Sequence, residues 1–179
     1  MKFNMKNSLI IYSSTDGHTK KICEYILLII KQKYNTKLIS ITSVQCETLE
    51  KYDLIIIGAS IRYGKHKPEI YDFIEKHKLI LNSKITAFFS VNVVARKRDK
   101  NNIDNNPYIQ KFLSLTSWRP NHLEVFAGQI VYSKYKFIDK MMILLIMWLT
   151  NGPTDISMTH EFTDWSKIKN FSNTLINKI

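Results

Sequence analysis

Ser13, Ser14, Thr15, Asp16, Gly17, His18 and Thr19 form one run of hydroxyls around a single glycine. Hydroxyl and backbone N–H groups donate without carrying charge, and glycine lets the chain turn tightly enough to bring several onto one oxyanion. The apolar, β-favouring stretch Leu9-Ile10-Ile11-Tyr12 precedes this run. A helical pattern opens at Thr19, with Ile22, Ile26, Ile29 and Ile30 on one face and Lys20, Lys21, Glu24 and Lys31 on the other. Strand, loop and helix in that order aim N–H groups and the positive end of a helix dipole at an anion. No lysine follows the glycine as it would in a nucleoside-triphosphate loop, so a retained phosphate monoester fits better. The run also reads as an ordinary strand-to-helix turn capped by Ser and Thr, and alone it leaves both readings open.

Two later stretches add planar recognition. Gly58-Ala59-Ser60-Ile61-Arg62-Tyr63-Gly64 has glycine at both ends, so its backbone is expected to approach a flat ring on which Tyr63 stacks. Ser90-Val91-Asn92-Val93-Val94-Ala95-Arg96 offers amide and peptide groups to a heteroaromatic edge. Taken singly, each has an ordinary reading: a half-exposed loop tyrosine, a solvated arginine, an asparagine satisfying a turn. Taken together, a phosphate cradle at one end and planar walls at the other describe a mononucleotide such as FMN.

The elements that must position these loops read in alternation. Strands are expected at 9–12, 38–42, 54–58, 85–91 and 123–131, and helices at 19–34, 69–81 and 107–115. A last helix is expected to be capped by Thr163-Asp164-Trp165, with Trp165, Ile168, Phe171, Leu175 and Ile179 on its apolar face. Residues 54–58 are a continuous apolar run, as in a parallel strand covered on both faces. This predicts an α/β fold: one doubly wound five-stranded parallel sheet of order 2-1-3-4-5, with ligand at the carboxyl ends of strands one and three. One domain over 1–179 is expected, with an insertion of about 132–157 after or within strand five. No Gly-x-Gly-x-x-Gly follows strand one, which disfavours a dinucleotide.

Composition narrows the partners. Lys and Arg number 26 against 15 Asp and Glu, a net charge of +11. Such a chain is drawn to nucleic acid, anionic lipid or an acidic substrate. No nucleic-acid motif accompanies the charge, so no nucleic-acid partner is expected. Arginine occurs only at 62, 96, 98 and 119, which makes the loop arginines the better clue, because guanidinium gives fixed planar recognition. The histidines at 18, 66, 77, 122 and 160 share no metal spacing, so no metal is expected, and His18 is expected to point outward. Cys23 and Cys46 lack disulfide or zinc spacing and fit a reducing compartment; Cys23 is expected to pack as a small apolar residue. Residues 1–8 are too short and polar for a signal peptide.

About thirty residues separate strand five from the last helix, too many for a plain loop. Lys134, Lys136 and Lys140 lead into Met141-Met142-Ile143-Leu144-Leu145-Ile146-Met147-Trp148-Leu149, and Asn151-Gly152-Pro153 ends the run. It is too short to span a bilayer. Residues 134–149 are expected to lie in the boundary of an anionic membrane surface. A helix buried over the sheet and a contact between subunits are the alternatives.

Residues 14–19 resemble the flavodoxin phosphate signature, with Asp16 where a threonine is usual. Together with Ile57-Gly58-Ala59-Ser60-Ile61-Arg62-Tyr63-Gly64, residues 90–97, Trp118-Arg119-Pro120 and Thr163-Asp164-Trp165, the chain is similar nearly throughout to the flavodoxin-like protoporphyrinogen oxidases of bacterial haem synthesis. The resemblance implies FMN as cofactor, protoporphyrinogen IX as donor and menaquinone or a related quinone as acceptor. It implies a peripheral location at the cytoplasmic face of the inner membrane and leaves a homo-oligomer open. Residues 13–19 would hold the phosphate. Ser60, Ile61, Arg62, Tyr63 and Gly64, with Ser90, Val91, Asn92, Val93, Val94, Ala95 and Arg96, would flank the isoalloxazine. Asp16, repelled by a phosphate, is expected to cap the helix or face solvent. Arg62 and Arg96 are expected to grip the porphyrinogen propionates or steady the reduced flavin. The rivals are a flavodoxin-type electron carrier, disfavoured because that family is acidic, and an NAD(P)H:quinone reductase.

Overall fold

The computed structural model describes residues 5–46 and 48–177, apart from the side chains of Gln45 and Cys46. In chain order they form β1 (Lys6–Ser13), α1 (His18–Ile30), β2 (Tyr34–Ser40), β3 (Leu54–Ser60), α2 (Pro68–Ser83) and β4 (Ile85–Asn92). Then come α3 (Pro107–Leu115), β5 (His122–Ala127), β6 (Gln129–Val131), α4 (Phe137–Leu149), β7 (Thr159–Glu161) and α5 (Trp165–Asn177). The main sheet runs β2-β1-β3-β4-β5 and is parallel throughout.

Alternation along the central strands sorts the core into two layers. Ile55, Ile57 and Phe88 face α2 and α3, packing with Ile70, Ile74, Ile109 and Phe112. Leu54, Ile56, Ala87 and Phe89 face α1 and α5, packing with Ile22, Cys23, Ile26, Ile168 and Leu175. Each such fully buried aliphatic or aromatic side chain contributes roughly 1.5–3 kcal/mol. Register sets Tyr12 beside Gly58 and Ala59 beside Ser90, so the carboxyl ends of β1, β3 and β4 finish level. The loops leaving them share one crevice.

Three expected boundaries move. The first helix stops at Ile30 rather than 34, although Tyr34 keeps the i+4 spacing of Ile26 and Ile30. Gln32 N–H and Lys33 N–H close onto Ile29 O and Ile30 O in a tightened last turn. Tyr34 then opens β2 opposite Lys6, because pairing with β1 outweighs one more turn of helix. Strand two therefore ends at Ser40, and Ile41 and Thr42 enter a short 3-10 turn. Strand five ends at Ala127, not 131. At Gly128 the chain leaves the sheet, its N–H bonded to Asn92 O and its carbonyl accepting from Phe162 N–H. Beyond it β6 pairs antiparallel with β7, Ile130 opposite His160, as a separate two-stranded stem. The insertion thus begins within the expected strand. On α5, Ile168, Phe171 and Leu175 are buried as expected, while Ile179 lies outside the described residues.

Candidate functional site

The hydroxyl loop turns tightly into α1 and forms the candidate anion cradle. Gly17 stands at the N-cap of α1 with φ 89°, a left-handed conformation in which a Cβ is strained. No side chain caps the helix, so its first-turn N–H groups are left for a ligand. Gly17 N–H bonds Ser14 Oγ at 3.0 Å, which folds the loop onto itself. Ser60 Oγ donates to Ser13 O at 3.2 Å and ties the end of β3 to this loop. Two buried polar atoms here, Ser13 Oγ and His18 Nδ1, have no partner among the described residues. Unpaired buried polar atoms are costly; the Ser13 hydroxyl can donate to an oxyanion, and His18 Nδ1 can do so once it carries a proton.

Asp16 departs from expectation. It neither caps α1 nor faces solvent; its carboxylate lies 3.2 Å from Arg62 Nη1, an ion pair joining the loops after β1 and β3. The guanidinium offsets the carboxylate's charge. His18 also departs. It is buried, with Nε2 2.6 Å from Thr163 Oγ1 and its ring edge-on to Trp165. Burial lowers its pKa, opposed by Glu161 and reinforced by Lys21.

The second and third loops form the walls. Ser60, Ile61, Arg62, Tyr63 and Gly64 line one side of a cavity of about 250 Å³, and Val91, Asn92, Val93, Val94 and Arg96 line the other. Ser14, Asp16, His18 and Thr19 close its end. Ser13, Gly17, Ser90 and Ala95 stand behind this surface, and Thr15 lines an adjoining cavity with Lys65 and Lys67. Ser90 and Asn92 are buttresses: Ser90 Oγ bonds His66 Nε2 at 2.9 Å, and Asn92 Oδ1 accepts from Ala95 N–H at 3.0 Å. Gly58 does not approach a ligand ring. It sits within β3, where a Cβ would overlap the Phe89 ring and lie 2.9 Å from Cys23 Sγ. Cys23 is fully buried, and desolvation raises its thiol pKa, as expected of a packing residue.

The insertion supplies the roof. Asp139, Met142, Ile143, Ile146 and Met147 of α4 line the same cavity, with Tyr135 from the segment before it. Asp139 Oδ2 accepts from the Tyr63 hydroxyl at 2.8 Å and lies 3.5 Å from Arg62 Nη2. The Arg62 guanidinium also stacks over Tyr135 at 4.6 Å. Lys134 Nζ donates to Asp16 O at 2.8 Å. At the other end of α4, Arg96 Nη2 donates to Thr150 Oγ1 at 2.6 Å and Nη1 to Val93 O at 3.3 Å. Both arginines therefore bind the roof to the walls and are engaged within the protein. The outer face of α4 exposes Phe137, Ile138, Met141, Leu145, Trp148 and Leu149.

Fourteen residues expected at the site line the cavity. The roof residues and Tyr108, Gly128, Gln129 and Ile130 were not foreseen there. The alternation of polar Asp139 with Met142, Ile143 and Ile146 at helical spacing was the one signal that α4 has an inner face.

A family model described as a flavodoxin domain matches residues 9–157. A protein from Escherichia coli named protoporphyrinogen IX dehydrogenase (quinone) is 38% identical over 166 residues, covering 92% of each chain. One of the same name from Leishmania major is 38% identical over 167 residues, covering 92% of this chain and 72% of that one. Among solved structures, a Streptococcus pneumoniae flavodoxin superposes with TM-score 0.54 at 14% identity, covering 96% of this chain and 99% of that one. That last likeness concerns the fold.

Proposed function

The chain belongs to the flavodoxin-domain family, alongside relatives named quinone-linked protoporphyrinogen IX dehydrogenases, and from that premise we propose an FMN-dependent oxidoreductase that oxidises protoporphyrinogen IX and passes the electrons to menaquinone, as a step of haem synthesis. One observation carries the reading: a cradle with two unsatisfied buried polar atoms opens directly into a slot between two loops, under an apolar roof. Phosphate at the first and a flat ring in the second match FMN.

Bound in this site, a flavin supplies a centre that accepts a hydride equivalent from the porphyrinogen and returns electrons to the quinone. The residues do the rest. The first-turn N–H groups of α1 and the Thr19 hydroxyl would hold the phosphate, with the unpartnered Ser13 hydroxyl behind them. Ile61, Tyr63, Val93 and Val94 wall the ring. Met142, Ile143, Ile146 and Met147 present an apolar surface from above, suited to a lipid-soluble acceptor. Arg62 and Arg96 act first as tethers of the roof, and their positive charge at the cavity wall would favour added negative charge on a group bound there. No side chain at the site is needed as a general base on this reading.

The exposed outer face of α4 supports peripheral attachment to the membrane at its cytoplasmic face. Among the described residues no helix is long and apolar enough to cross a bilayer. Lys136 and Lys140 would meet anionic lipid, at about 1 kcal/mol each; Lys134 is engaged with the cradle loop instead. The test of function is anaerobic oxidation of protoporphyrinogen IX by the purified yellow protein, with and without menaquinone. Turnover that requires the quinone is expected. A folded protein that refuses FMN, or an FMN-loaded one that leaves the porphyrinogen reduced, overturns the assignment, and stoichiometric NADPH oxidation would identify a nicotinamide-fed reductase instead.

A further inference from the structure

The Thr163 hydroxyl donates its proton to Ala127 O at 3.0 Å. A hydroxyl has one proton to give, so toward His18 Thr163 can only accept. The His18 ring therefore carries hydrogen at Nε2, 2.6 Å from Thr163 Oγ1. In a neutral ring Nδ1 is then a lone pair without a proton. That atom is buried and unpartnered among the described residues, in a side chain that lines the cavity beside Ser14 and Thr19 and is 6% exposed. A bare lone pair offers an oxyanion nothing, whereas a protonated Nδ1 offers a charge-assisted hydrogen bond.

The geometry points to His18 as a proton-linked anion ligand: a phosphomonoester entering the cradle at the start of α1 is bound together with one proton, taken up at Nδ1. This rests on the FMN reading and deepens it. The charged groups around the ring come from every neighbouring element: Lys21 from α1, Glu161 from β7, and Asp16 from the loop, with its carboxylate on Arg62 and its carbonyl on Lys134. Trp165 of α5 covers one edge. Burial lowers the pKa of the ring and so favours its neutral form at pH 7. A phosphate dianion alongside favours the imidazolium and raises its pKa. Between the free and the loaded pKa the affinity rises as pH falls, by up to about tenfold per pH unit, and it levels off above the loaded pKa. The second ionisation of the phosphate, near pH ~6, works in the opposite sense.

Calorimetric titration of the FMN-free full chain at pH 7, in buffers of different ionisation enthalpy, counts the protons directly. The expected uptake approaches one proton per FMN in the wild type and zero in His18→Gln. It falls in Thr163→Val, where the ring is free to present Nδ1–H while neutral. Riboflavin, which lacks the phosphate, should bind without uptake. FMN binding with no proton uptake, or with the same uptake in His18→Gln, overturns the linkage. Loss of all flavin binding would sink the cofactor reading separately, and NMR titration of the His18 ring with inorganic phosphate still decides the linkage. A pKa raised by phosphate supports it; an unmoved one rejects it.

Discussion

Arg62 and Asp139 face each other across the mouth of the cavity, Nη2 to Oδ2 at 3.5 Å, and the Tyr63 hydroxyl donates to the same carboxylate oxygen at 2.8 Å. Both side chains of the ion pair are mostly shielded, at 21% and 16% exposure, so the contact is worth more than a surface pair. It joins the roof to a wall, so opening the roof must break it.

Asp139→Ala should therefore speed the release of bound FMN. Losing one shielded ion pair and one hydrogen bond costs roughly 1–2 kcal/mol, or about five- to thirty-fold in rate. The recovery of flavin fluorescence after dilution measures it. The thermal midpoint of the flavin-free protein should barely move, because the sheet is untouched. An unchanged release rate would show that the roof does not gate the site.

Stability should fall on mild acidification because of His66. Its ring meets the stacked Phe88–Phe112 pair edge-on and is 2% exposed, and burial pushes its pKa down to about 4. The unfolded chain takes up that proton near pH 6.5 and the folded chain does not until about 4. The contribution is thus fully present above pH 6.5 and is lost as pH falls toward 4. At roughly 1.4 kcal/mol per pKa unit the ceiling is about 3 kcal/mol. Urea midpoints between pH 7 and 4 measure the slope. His66→Gln, which keeps a partner for Ser90, should flatten the larger part of it, leaving the share of His18 and His77, whose pKa values are also lowered by burial.

Gly58→Ala should destabilise the sheet without touching the cavity. The new methyl overlaps the Phe89 ring and crowds Cys23, an overpacking cost of about 1–3 kcal/mol. Adding Phe89→Leu should restore part of the loss in a urea titration. Full stability in the single variant would mean that the α1–β3 contact is looser than its geometry.

Replacing Ile138, Leu145 and Trp148 by serine should abolish cosedimentation with vesicles rich in phosphatidylglycerol, with FMN content retained. These side chains point outward at 74%, 55% and 69% exposure. Vesicle binding that survives the triple change would assign the face to another role.

Much of this was legible in one dimension. Apolar runs such as Leu54-Ile55-Ile56-Ile57 admit only a strand covered on both sides, and Pro107 marks the start of α3 without ambiguity. Tyr34 misled because helical spacing runs through it and no glycine or proline interrupts Lys31-Gln32-Lys33. The cradle loop was found from its hydroxyls, yet the partners of its two difficult residues were not. Asp16 meets Arg62 across 46 positions and His18 meets Thr163 across 145, and no local pattern encodes such pairs. The helix α4 is so nearly uniformly apolar that Asp139, with the residues at helical spacing from it, was the one mark of the side that faces the cavity.

The stem of β6 and β7 has one more consequence. The excursion departs at Gly128 and returns at Phe162, two residues hydrogen-bonded to each other. Everything between is a cassette clipped onto a complete scaffold, one that could be excised and replaced by a tight turn without disturbing a core strand.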